Sequence, residues 1–233
     1  MTIPFFYISS YDGTQQQIVL DEEVSKHIVQ VLRMKVGEQL NLTDGKGTLL
    51  TCGITAGNKR HCEVEVLSSV IYPFLSKKIT IAISFLKNAN RFEWFLEKAT
   101  EIGVTEIIPI ICERTEKEKF RYDRMQGICI SAMLQSQQCW LPVLQQPISF
   151  IKLVEQLTAS QKFIAHCDEG IKQNLHSHIG TAAPSCICIG PEGDFTEKEI
   201  EMALQNNFIP VSLGDTRLRT ETAGIVASIL LKQ

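Results

Sequence analysis

The fold of this chain is decided by residues 188–231, which read CIGPEGDFTEKEIEMALQNNFIPVSLGDTRLRTETAGIVASILL. Two apolar runs, SCICI at 185–189 and FIPVSL at 208–213, predict buried strands, and each is followed by a polar loop and then by a helical pattern. Thr196 and Glu199 have the spacing of a capping box, which predicts a helix that begins beside them. Both loops therefore leave the carboxyl end of a strand, where open α/β sheets bind ligands.

The same alternation of strands and helices begins at Ile79. Three further apolar runs predict buried strands, and three segments between them predict helices. The strands are ITIAISFL (79–86), EIIPIIC (106–112) and KFIAHC (162–167), and the helices are RFEWFLEKATEIG (91–103), MQGICISAMLQSQQ (125–138) and SFIKLVEQLTA (149–159). Alternating elements are typical of βαβ units, so residues 73–233 are predicted to form an α/β domain with a parallel sheet.

Residues 1–72 have a different pattern, in which apolar and polar residues alternate over short segments. This alternation predicts strands, and the Asp-Gly pair in TDGKGT (43–48) predicts a hairpin turn. One short helix is predicted over EEVSKHIVQVLRM (22–34). We therefore predict a small β-rich domain over residues 1–72 and a linker at IYPFLSKK (71–78), where proline and charge interrupt both periodicities.

Composition narrows the class of protein. The chain has 233 residues, of which 44% are hydrophobic and 21% charged, and its formal net charge is −3. This balance is typical of a globular protein and argues against a histone-like binder of nucleic acid, while a local basic groove stays compatible with it. The apolar runs are shorter than the roughly 20 residues that cross a bilayer. The first residues lack the basic segment of a secretory signal, so we expect a cytoplasmic protein with no membrane partner.

The eight cysteines do not have the spacing of a metal site, because the chain contains no C-x-x-C pair. Most of them lie inside apolar runs such as SCICI. In a reducing compartment such cysteines are small buried hydrophobic residues. We therefore expect neither a metal nor disulfides.

The two polar loops carry residues suited to bind a ligand. Gly190 and Gly193 lack a Cβ atom, so a flat ligand can lie against the backbone, and Pro191 stiffens the turn. Such a turn is also common without a ligand. The second loop, GDTRLRTETAGI at 214–225, holds more polar residues than a turn and a helix cap require. The chain has no G-x-G-x-x-G and no P-loop motif, so a dinucleotide or nucleoside triphosphate site has little support.

Three segments resemble, in the right order, the ribosomal RNA small-subunit methyltransferase E family of the SPOUT class. They are HIVQVLRMKVGEQLNLTDGKG (27–47), FLKNANRFEWFLEKATEIGVTEIIPIICERT (85–115) and residues 188–231. The resemblance covers nearly the whole chain. It implies an N-terminal PUA-like RNA-binding domain and a trefoil-knotted α/β methyltransferase domain, an exception to the rule against threaded chains. It further implies a homodimer that transfers a methyl group from S-adenosylmethionine to N3 of a uridine in 16S rRNA of the small ribosomal subunit, without a metal.

The resemblance also assigns roles to residues of this sequence. Three loops are implied to hold the cofactor through Ile189, Gly190, Pro191, Glu192, Gly193, Leu213, Gly214, Leu218, Arg219, Thr220, Thr222 and Ala223. Arg219 is implied to bind the uracil carbonyls as negative charge develops on them. For Glu221 three interpretations stay open from the sequence: it stabilises the positive end of the last helix, it orients Arg219, or it accepts the N3 proton. Thr220 and Thr222 are expected to cap that helix as well, and Arg217 to be solvated.

RNA contacts are implied for His27, Arg33, Arg91, Arg114, Gln135 and Ser136. For His27 a packed side chain is the alternative, and for Arg91 and Arg114 the alternative is a solvated face of charge. Three positions depart from the family pattern: Asp194 stands where a second glycine is usual, Leu134 where glutamate is usual and Gln138 where arginine is usual. These departures bear on RNA contacts more than on methyl transfer.

Two other functions stay open at this point. One is a SPOUT enzyme that methylates tRNA, and the PUA-like segment favours rRNA over it by analogy. The other is a catalytically silent RNA-binding protein of ribosome assembly. The intact glycines and Arg219 favour an active enzyme over the silent protein.

Overall fold

The computed structural model describes residues 3–74, 77–116, 119–168, 170–178, 180 and 183–233. The chain divides into two compact units. The first comprises the residues up to Phe74 together with Met133–Leu141, and the second comprises residues 75–132 and 142–233. Residues 75 and 76 of the predicted linker lie outside the described part. A boundary drawn in the linear sequence at residue 72 omits Met133–Leu141, because that segment reaches the first unit from far along the chain.

The first unit is built on a five-stranded sheet with the order β1-β3-β4-β5-β2. Its strands are β1 (Phe5–Tyr7), β2 (Gln17–Val19), β3 (Gln39–Thr43), β4 (Thr48–Ala56) and β5 (Glu63–Ile71). The pair β1 and β3 is parallel, while the other pairs are antiparallel. Alternate residues of β3 and β4 point inward, so Leu40, Leu42 and Leu50 are fully buried in its core.

The hairpin between β3 and β4 has the predicted Asp-Gly turn. Asp44 Oδ1 accepts a hydrogen bond from the Lys46 amide (2.8 Å), and Gly45 and Gly47 have the positive φ angles that such turns require. Gly47 also has to be small, because a Cβ there would lie 2.5 Å from Trp140 Cζ2. Trp140 thus explains why Met133–Leu141 belongs to the first unit.

The helix predicted over residues 22–34 is shorter and less regular than expected. The α-helix α1 covers Glu22–Lys26 and continues as a π-helical turn over His27–Val31. Arg33 then takes a φ of 56°, which a non-glycine residue rarely adopts. An amphipathic pattern alone does not distinguish an α-helical turn from a π-helical turn.

The second unit contains an eight-stranded sheet with the order β11-β13-β10-β12-β6-β7-β8, and β9 also pairs with β7. Every strand pair in it is parallel, as predicted. Its strands are β6 (Ile79–Ser84), β7 (Glu106–Ile111), β8 (Val143–Leu144), β9 (Ile148–Ser149), β10 (Gln161–Ala165), β11 (Gln173–Asn174), β12 (Ser185–Ile189) and β13 (Ile209–Ser212). Its helices are α2 (Ala89–Ile102), α3 (Tyr122–Gln135), α4 (Phe150–Gln156), α5 (Glu197–Gln205) and α6 (Thr220–Lys232).

Local signals place the ends of these helices. Gly103 ends α2 in the left-handed conformation with a φ of 87°, and α5 begins at the predicted capping box of Thr196 and Glu199. Gly224 lets α6 pack closely on α2, because a Cβ there would lie 2.6 Å from Phe95 Cε2. The same Cβ would lie 2.9 Å from Ile83 Cδ1, so Gly224 also lets α6 pack closely on β6.

Two expectations from composition concern the whole molecule. All the cysteines except Cys167 are buried, which confirms their interpretation as core residues with that one exception. No helix in the described ranges combines the length and the apolar character that a membrane span requires.

Candidate functional site

A cavity of about 630 Å³ opens at the carboxyl ends of three adjacent strands, β12, β10 and β13. Because β10 lies between the other two strands and all three run parallel, the loops that follow them meet at one edge of the sheet. Most residues predicted to hold a cofactor line it. They are Ile189, Gly190, Pro191, Glu192, Leu213, Gly214, Leu218, Arg219, Thr220 and Ala223.

The first loop of this cavity, Gly190–Asp194, is held by its own polar groups. Asp194 has a φ of 63°, and its Oδ1 accepts a hydrogen bond from the Phe195 amide (2.8 Å). Its Oδ2 accepts a second, from the Cys167 amide (2.6 Å) in the loop after β10. Aspartate tolerates the left-handed conformation better than most residues do. Asp194, which stands where the family usually has a second glycine, therefore links two walls of the cavity, the loop after β12 and the loop after β10.

Arg114 supports the same loop from outside the cavity. Its Nη1 donates to the carbonyl oxygens of Gly193 (2.8 Å) and Phe195 (3.4 Å). Gly193 faces Arg114, since a Cβ there would lie 3.4 Å from Arg114 Cδ, and it does not line the cavity. One guanidinium nitrogen of this predicted RNA-binding residue is therefore used within the protein.

The start of α6 closes the cavity on another side. Thr220 is buried, and its Oγ1 donates a hydrogen bond to the carbonyl oxygen of Gly190 (3.0 Å). Its expected role as a helix cap is wrong, because Arg219 occupies the N-cap position and α6 begins at Thr220. Thr222 does not line the cavity, because residues two apart on a helix point in different directions, whereas Ala223, three residues after Thr220, does line it.

Glu221 pairs with a residue that the sequence did not connect to it. Its carboxylate is buried, and Oε1 lies 3.6 Å from Arg91 Nε, at the start of α2. Oε2 is buried without a hydrogen-bond partner in the described structure. Arg219 is exposed and forms no ion pair with any described residue. In this structure Glu221 therefore turns toward α2 and does not pair with Arg219, which was one of the alternatives open from the sequence.

The sequence did not predict the wall of the cavity at the end of β10, which is formed by Ala165, His166, Cys167 and Lys172. Within and beside the two predicted loops it also did not assign Asp194, Val211, Ser212, Thr216 and Arg217 to the cavity. Burial lowers the pKa of His166, and the charge of Lys172 lowers it further, against the opposing effect of the nearby Asp194 and Asp168. The imidazole is therefore neutral near pH 7. The available signal was the polar end of the predicted strand KFIAHC, because ligands bind at the carboxyl ends of strands in open α/β sheets.

The remaining RNA-binding candidates lie in the first unit. His27 is exposed and packs edge-on against Phe6, with ring centroids 5.7 Å apart. Arg33 and Gln135 are exposed, while Ser136 donates from Oγ to the carbonyl oxygen of Met133 (3.2 Å). Gln138, which replaces the arginine usual in the family, donates from Nε2 to Ser136 Oγ (2.9 Å). Gln138 therefore forms a local hydrogen bond at a position where the family usually has a charged arginine.

Comparison with known protein families gives two matches. An RNA methyltransferase domain matches residues 74–232, and an RNA methyltransferase PUA domain matches residues 20–67. Among curated proteins, the ribosomal RNA small subunit methyltransferase E of Rickettsia conorii is 28% identical over 227 residues, which cover 95% of this chain and 91% of that protein. The protein of the same name from Bacillus subtilis is 29% identical, over 92% of this chain and 91% of its own length.

Solved structures give the same correspondence over both units. A probable rRNA-methyltransferase from Porphyromonas gingivalis is 37% identical, with a TM-score of 0.88, over 97% of this chain and 95% of that one. A ribosomal RNA small subunit methyltransferase E from Neisseria gonorrhoeae, solved with bound S-adenosylmethionine, is 29% identical. Its TM-score is 0.82, over 97% of this chain and 95% of that one.

Proposed function

The chain belongs to the RNA methyltransferase family whose curated members are named ribosomal RNA small subunit methyltransferase E, and we propose that it methylates N3 of a uridine in 16S rRNA. The fold class that the sequence predicted, a SPOUT knotted methyltransferase domain with a PUA-like domain before it, is confirmed. The observation that carries the function is the cavity at the ends of β12, β10 and β13, because its walls are the polar loops that this family's signature occupies.

S-adenosylmethionine is the cofactor, and the lining of the cavity fits it. A volume of about 630 Å³ is within the range of roughly 300–1,000 Å³ usual for small-molecule sites. The carboxylates of Glu192 and Asp194 complement a sulfonium and an ammonium group, and Lys172 complements a carboxylate. Apolar side chains such as Ile189 and Val211 suit an adenine ring. When bound, the cofactor supplies a methyl group activated by positive sulfur.

Arg219 is the residue we assign to the acceptor base. Its guanidinium is exposed beside the cavity and has no ion-pair partner in the described ranges, so its donors are available to a ligand. As N3 of uracil loses its proton, negative charge spreads to the two carbonyl oxygens. A guanidinium beside them stabilises that charge more in the transition state than in the bound substrate.

Glu221 is the residue we assign to accept the N3 proton. Glu221 does not line the cavity and its Oε2 is buried, so the assignment is supported by the chemistry of this acceptor atom, which has no partner among the described residues and can take a proton from an N–H group brought to it. Arg91 holds the other oxygen at 3.6 Å and keeps the carboxylate in place. Exchange of Glu221 for glutamine preserves the shape and removes the base, and is therefore the direct test of the assignment.

The partners follow from the same membership. We propose that His27, Arg33, Gln135 and Ser136 of the first unit contact 16S rRNA, and that Arg91 and Arg114 contribute from the second. A homodimer is supported by one large apolar side chain exposed on each of two helices, Ile229 on α6 (45% exposed) and Trp94 on α2 (44% exposed). A cytoplasmic location suits a substrate within the ribosome. Sedimentation tests the dimer, which a dilute, folded and fully active monomer would rule out.

The decisive experiment for the function is mass mapping of rRNA from cells that lack the protein. Loss of one N3-methyluridine from 16S rRNA, restored when purified protein and S-adenosylmethionine are added to under-methylated 30S subunits, is expected. Loss of a tRNA methyl group instead would favour the tRNA-modifying alternative. Unchanged methylation of both RNAs, together with no cofactor binding, would identify a silent assembly protein.

A further inference from the structure

The first unit exposes several apolar side chains in a row where β5 ends. Ile71 is 77% exposed, Tyr72 46% and Phe74 53%, and Pro73 between them is also exposed. These residues begin the segment that the sequence predicted as a linker, and they have no role in the cofactor cavity. A run of exposed apolar side chains keeps apolar surface in water, so it marks a surface that binds another molecule.

A tryptophan from another part of the chain completes this surface. Trp140 lies in Met133–Leu141, which belongs to the first unit, and its ring packs nearly perpendicular to that of Phe74, with centroids 4.8 Å apart. Its Nε1 donates a hydrogen bond to the carbonyl oxygen of Tyr72 (3.2 Å). Tyr72, Phe74 and Trp140, here called the aromatic patch, are therefore tied to one another.

The turn between β3 and β4 holds the aromatic patch in place. The Tyr72 amide donates to the carbonyl oxygen of Gly47 (2.8 Å), and the Gly47 amide donates to that of Cys139 (2.8 Å). Gly47 lies directly against the Trp140 ring, which leaves no room for a Cβ. Because backbone hydrogen bonds fix both parts of the patch to one turn, a ligand that binds to the rings has little ordering cost to overcome.

An exposed lysine lies beside the aromatic patch. Lys46 is opposite Trp140 in an isolated antiparallel bridge, and its ammonium group forms no ion pair within the described ranges. The carboxylate of Asp44 accepts hydrogen bonds from the Lys46 amide (2.8 Å) and from Thr48 Oγ1 (3.0 Å) instead. The charge of Lys46 is therefore available to an anionic ligand.

We infer that the aromatic patch binds unpaired bases of the 16S rRNA substrate by stacking, while Lys46 contacts an adjoining phosphate. The inference rests on the proposed function, because that function supplies the RNA. Bases of single-stranded RNA stack on exposed aromatic rings, and cations beside the rings contact the backbone. RNA supplies both a flat base for the rings and a negative charge for the lysine, which an apolar protein surface does not.

The test is substitution of Phe74, measured as single-turnover methylation of under-methylated 30S subunits by the full-length protein. For Phe74→Ala, the 30S concentration that gives half the maximal rate should rise at least about fivefold, the lower end of a stacking contribution. The maximal rate and the Kd for S-adenosylmethionine should stay within about twofold of the wild type, because the cofactor cavity lies in the second unit. Phe74→Tyr should behave as the wild type, whereas Phe74→Leu, which is apolar but not flat, should behave as Phe74→Ala.

Val19→Ala is the matched control. Val19 is 63% exposed in the same sheet, and it pairs with Glu63 at the opposite end of β5. Its half-saturating 30S concentration should equal that of the wild type, and a rise as large as that of Phe74→Ala would overturn the inference. Lys46→Gln should raise the half-saturating concentration and make it less sensitive to salt, because one phosphate contact fewer releases fewer counterions.

The other results also support the inference or overturn it. An unchanged half-saturating concentration for Phe74→Ala would overturn it and leave the proposed function intact. Wild-type behaviour of Phe74→Leu would do the same, because it indicates an apolar contact without stacking. A smaller sedimentation coefficient for Phe74→Ala would assign the patch to an interface between copies of the chain and so overturn the inference. If the wild-type protein does not methylate 30S subunits, the proposed function itself fails, and the inference fails with it.

Discussion

The two polar loops of the cavity use their polar groups in different ways. In Gly190–Asp194 they are engaged by the protein: Thr220 donates to the Gly190 carbonyl oxygen, Arg114 to that of Gly193, and the Lys87 amide to Glu192 Oε1. In the loop after β13, by contrast, Arg217 and Arg219 are exposed and form no ion pair with a described residue.

This difference indicates that the two loops have different functions. A loop whose hydrogen bonds are satisfied internally forms a fixed wall, which costs little reorganisation when a ligand binds. A loop with free guanidinium groups offers donors to a second molecule. Changes in the first loop should therefore act on cofactor affinity and stability, and changes at the exposed arginines of the second loop on methyl transfer.

The largest effect is expected for Arg219→Ala. Loss of one fixed donor to a developing oxyanion lowers the rate by about 10²–10³, so the single-turnover rate on under-methylated 30S subunits should fall by that factor at saturating cofactor. The Kd for S-adenosylmethionine, measured by calorimetry, should change little. Arg219→Lys should restore little of the rate, because an ammonium group cannot replace the planar fork of the guanidinium.

Arg217→Ala provides the comparison within the same loop, and we expect less than a tenfold loss of rate from it. Equal losses from both variants would show that the loop acts through its net charge. A wild-type rate for Arg219→Ala, or a loss explained entirely by weaker cofactor binding, would contradict the division between the loops.

The second prediction concerns substitutions of Asp194, whose hydrogen bonds hold the first loop in place. Glycine adopts a φ of 63° without strain. Asp194→Gly therefore removes the acceptor oxygens for the Cys167 and Phe195 amides without straining the backbone. Hydrogen bonds to a charged group contribute about 1.5–3 kcal/mol to stability, so the free energy of unfolding should fall by that amount, and cofactor affinity should fall because the two cavity walls are no longer tied together. Asp194→Ala should in addition lose about 1–2 kcal/mol of stability, because alanine disfavours the left-handed conformation.

Calorimetry measures the loss of cofactor affinity in both variants, and urea denaturation measures the loss of stability. If Asp194→Gly binds the cofactor as tightly as the wild type, the hydrogen bond to Cys167 does not shape the cavity. Asp194→Asn, which keeps one acceptor oxygen, should fall between the wild type and the glycine variant.

The third prediction removes the link between the loops. Thr220→Val keeps the shape of the side chain and leaves the buried Gly190 carbonyl oxygen without the Thr220 donor. An unsatisfied buried acceptor costs about 1–3 kcal/mol, which urea denaturation should detect as a lower midpoint. Thr222→Val, two residues along the same helix, should change stability by less than about 0.5 kcal/mol. Equal effects of the two variants would show that the link is unimportant.

The sequence predicted the parallel sheet, the capping box and two walls of the cavity, because each depends on residues close together in the chain. It did not predict the wall after β10, because the position of β10 between β12 and β13 is a matter of strand order. The ion pair of Arg91 and Glu221 was missed for the same reason, since its partners are far apart in sequence. Which residues share an edge of the sheet follows from tertiary packing and not from periodicity.

The smallest effect is expected at the opposite end of the sheet, where a buried carboxylate is fully paired. Glu106, at the start of β7, accepts hydrogen bonds from Gln145 Nε2 (2.7 Å) and Thr80 Oγ1 (2.9 Å), and it forms an ion pair with Lys78 Nζ (2.8 Å). Burial acts to raise the pKa of Glu106, but the bonds from Lys78, Gln145 and Thr80 outweigh it, so the pKa lies below its usual value. Glu106 therefore stabilises the folded chain when it is ionised.

The sign of its pH dependence follows from this shift. A carboxylate whose pKa is lower in the folded state adds its full stability above the unfolded pKa, about 4.3 for glutamate, and loses it as the pH falls through the folded pKa. Glu106→Gln should therefore lower the free energy of unfolding by about 1 kcal/mol at pH 7, and the difference from the wild type should shrink below pH 4. Methyl transfer and cofactor affinity should not change, because Glu106 lies at the amino end of its strand. Urea denaturation of both proteins from pH 3 to pH 7 is the measurement, and a difference that grows toward low pH would show that Glu106 is protonated in the folded protein.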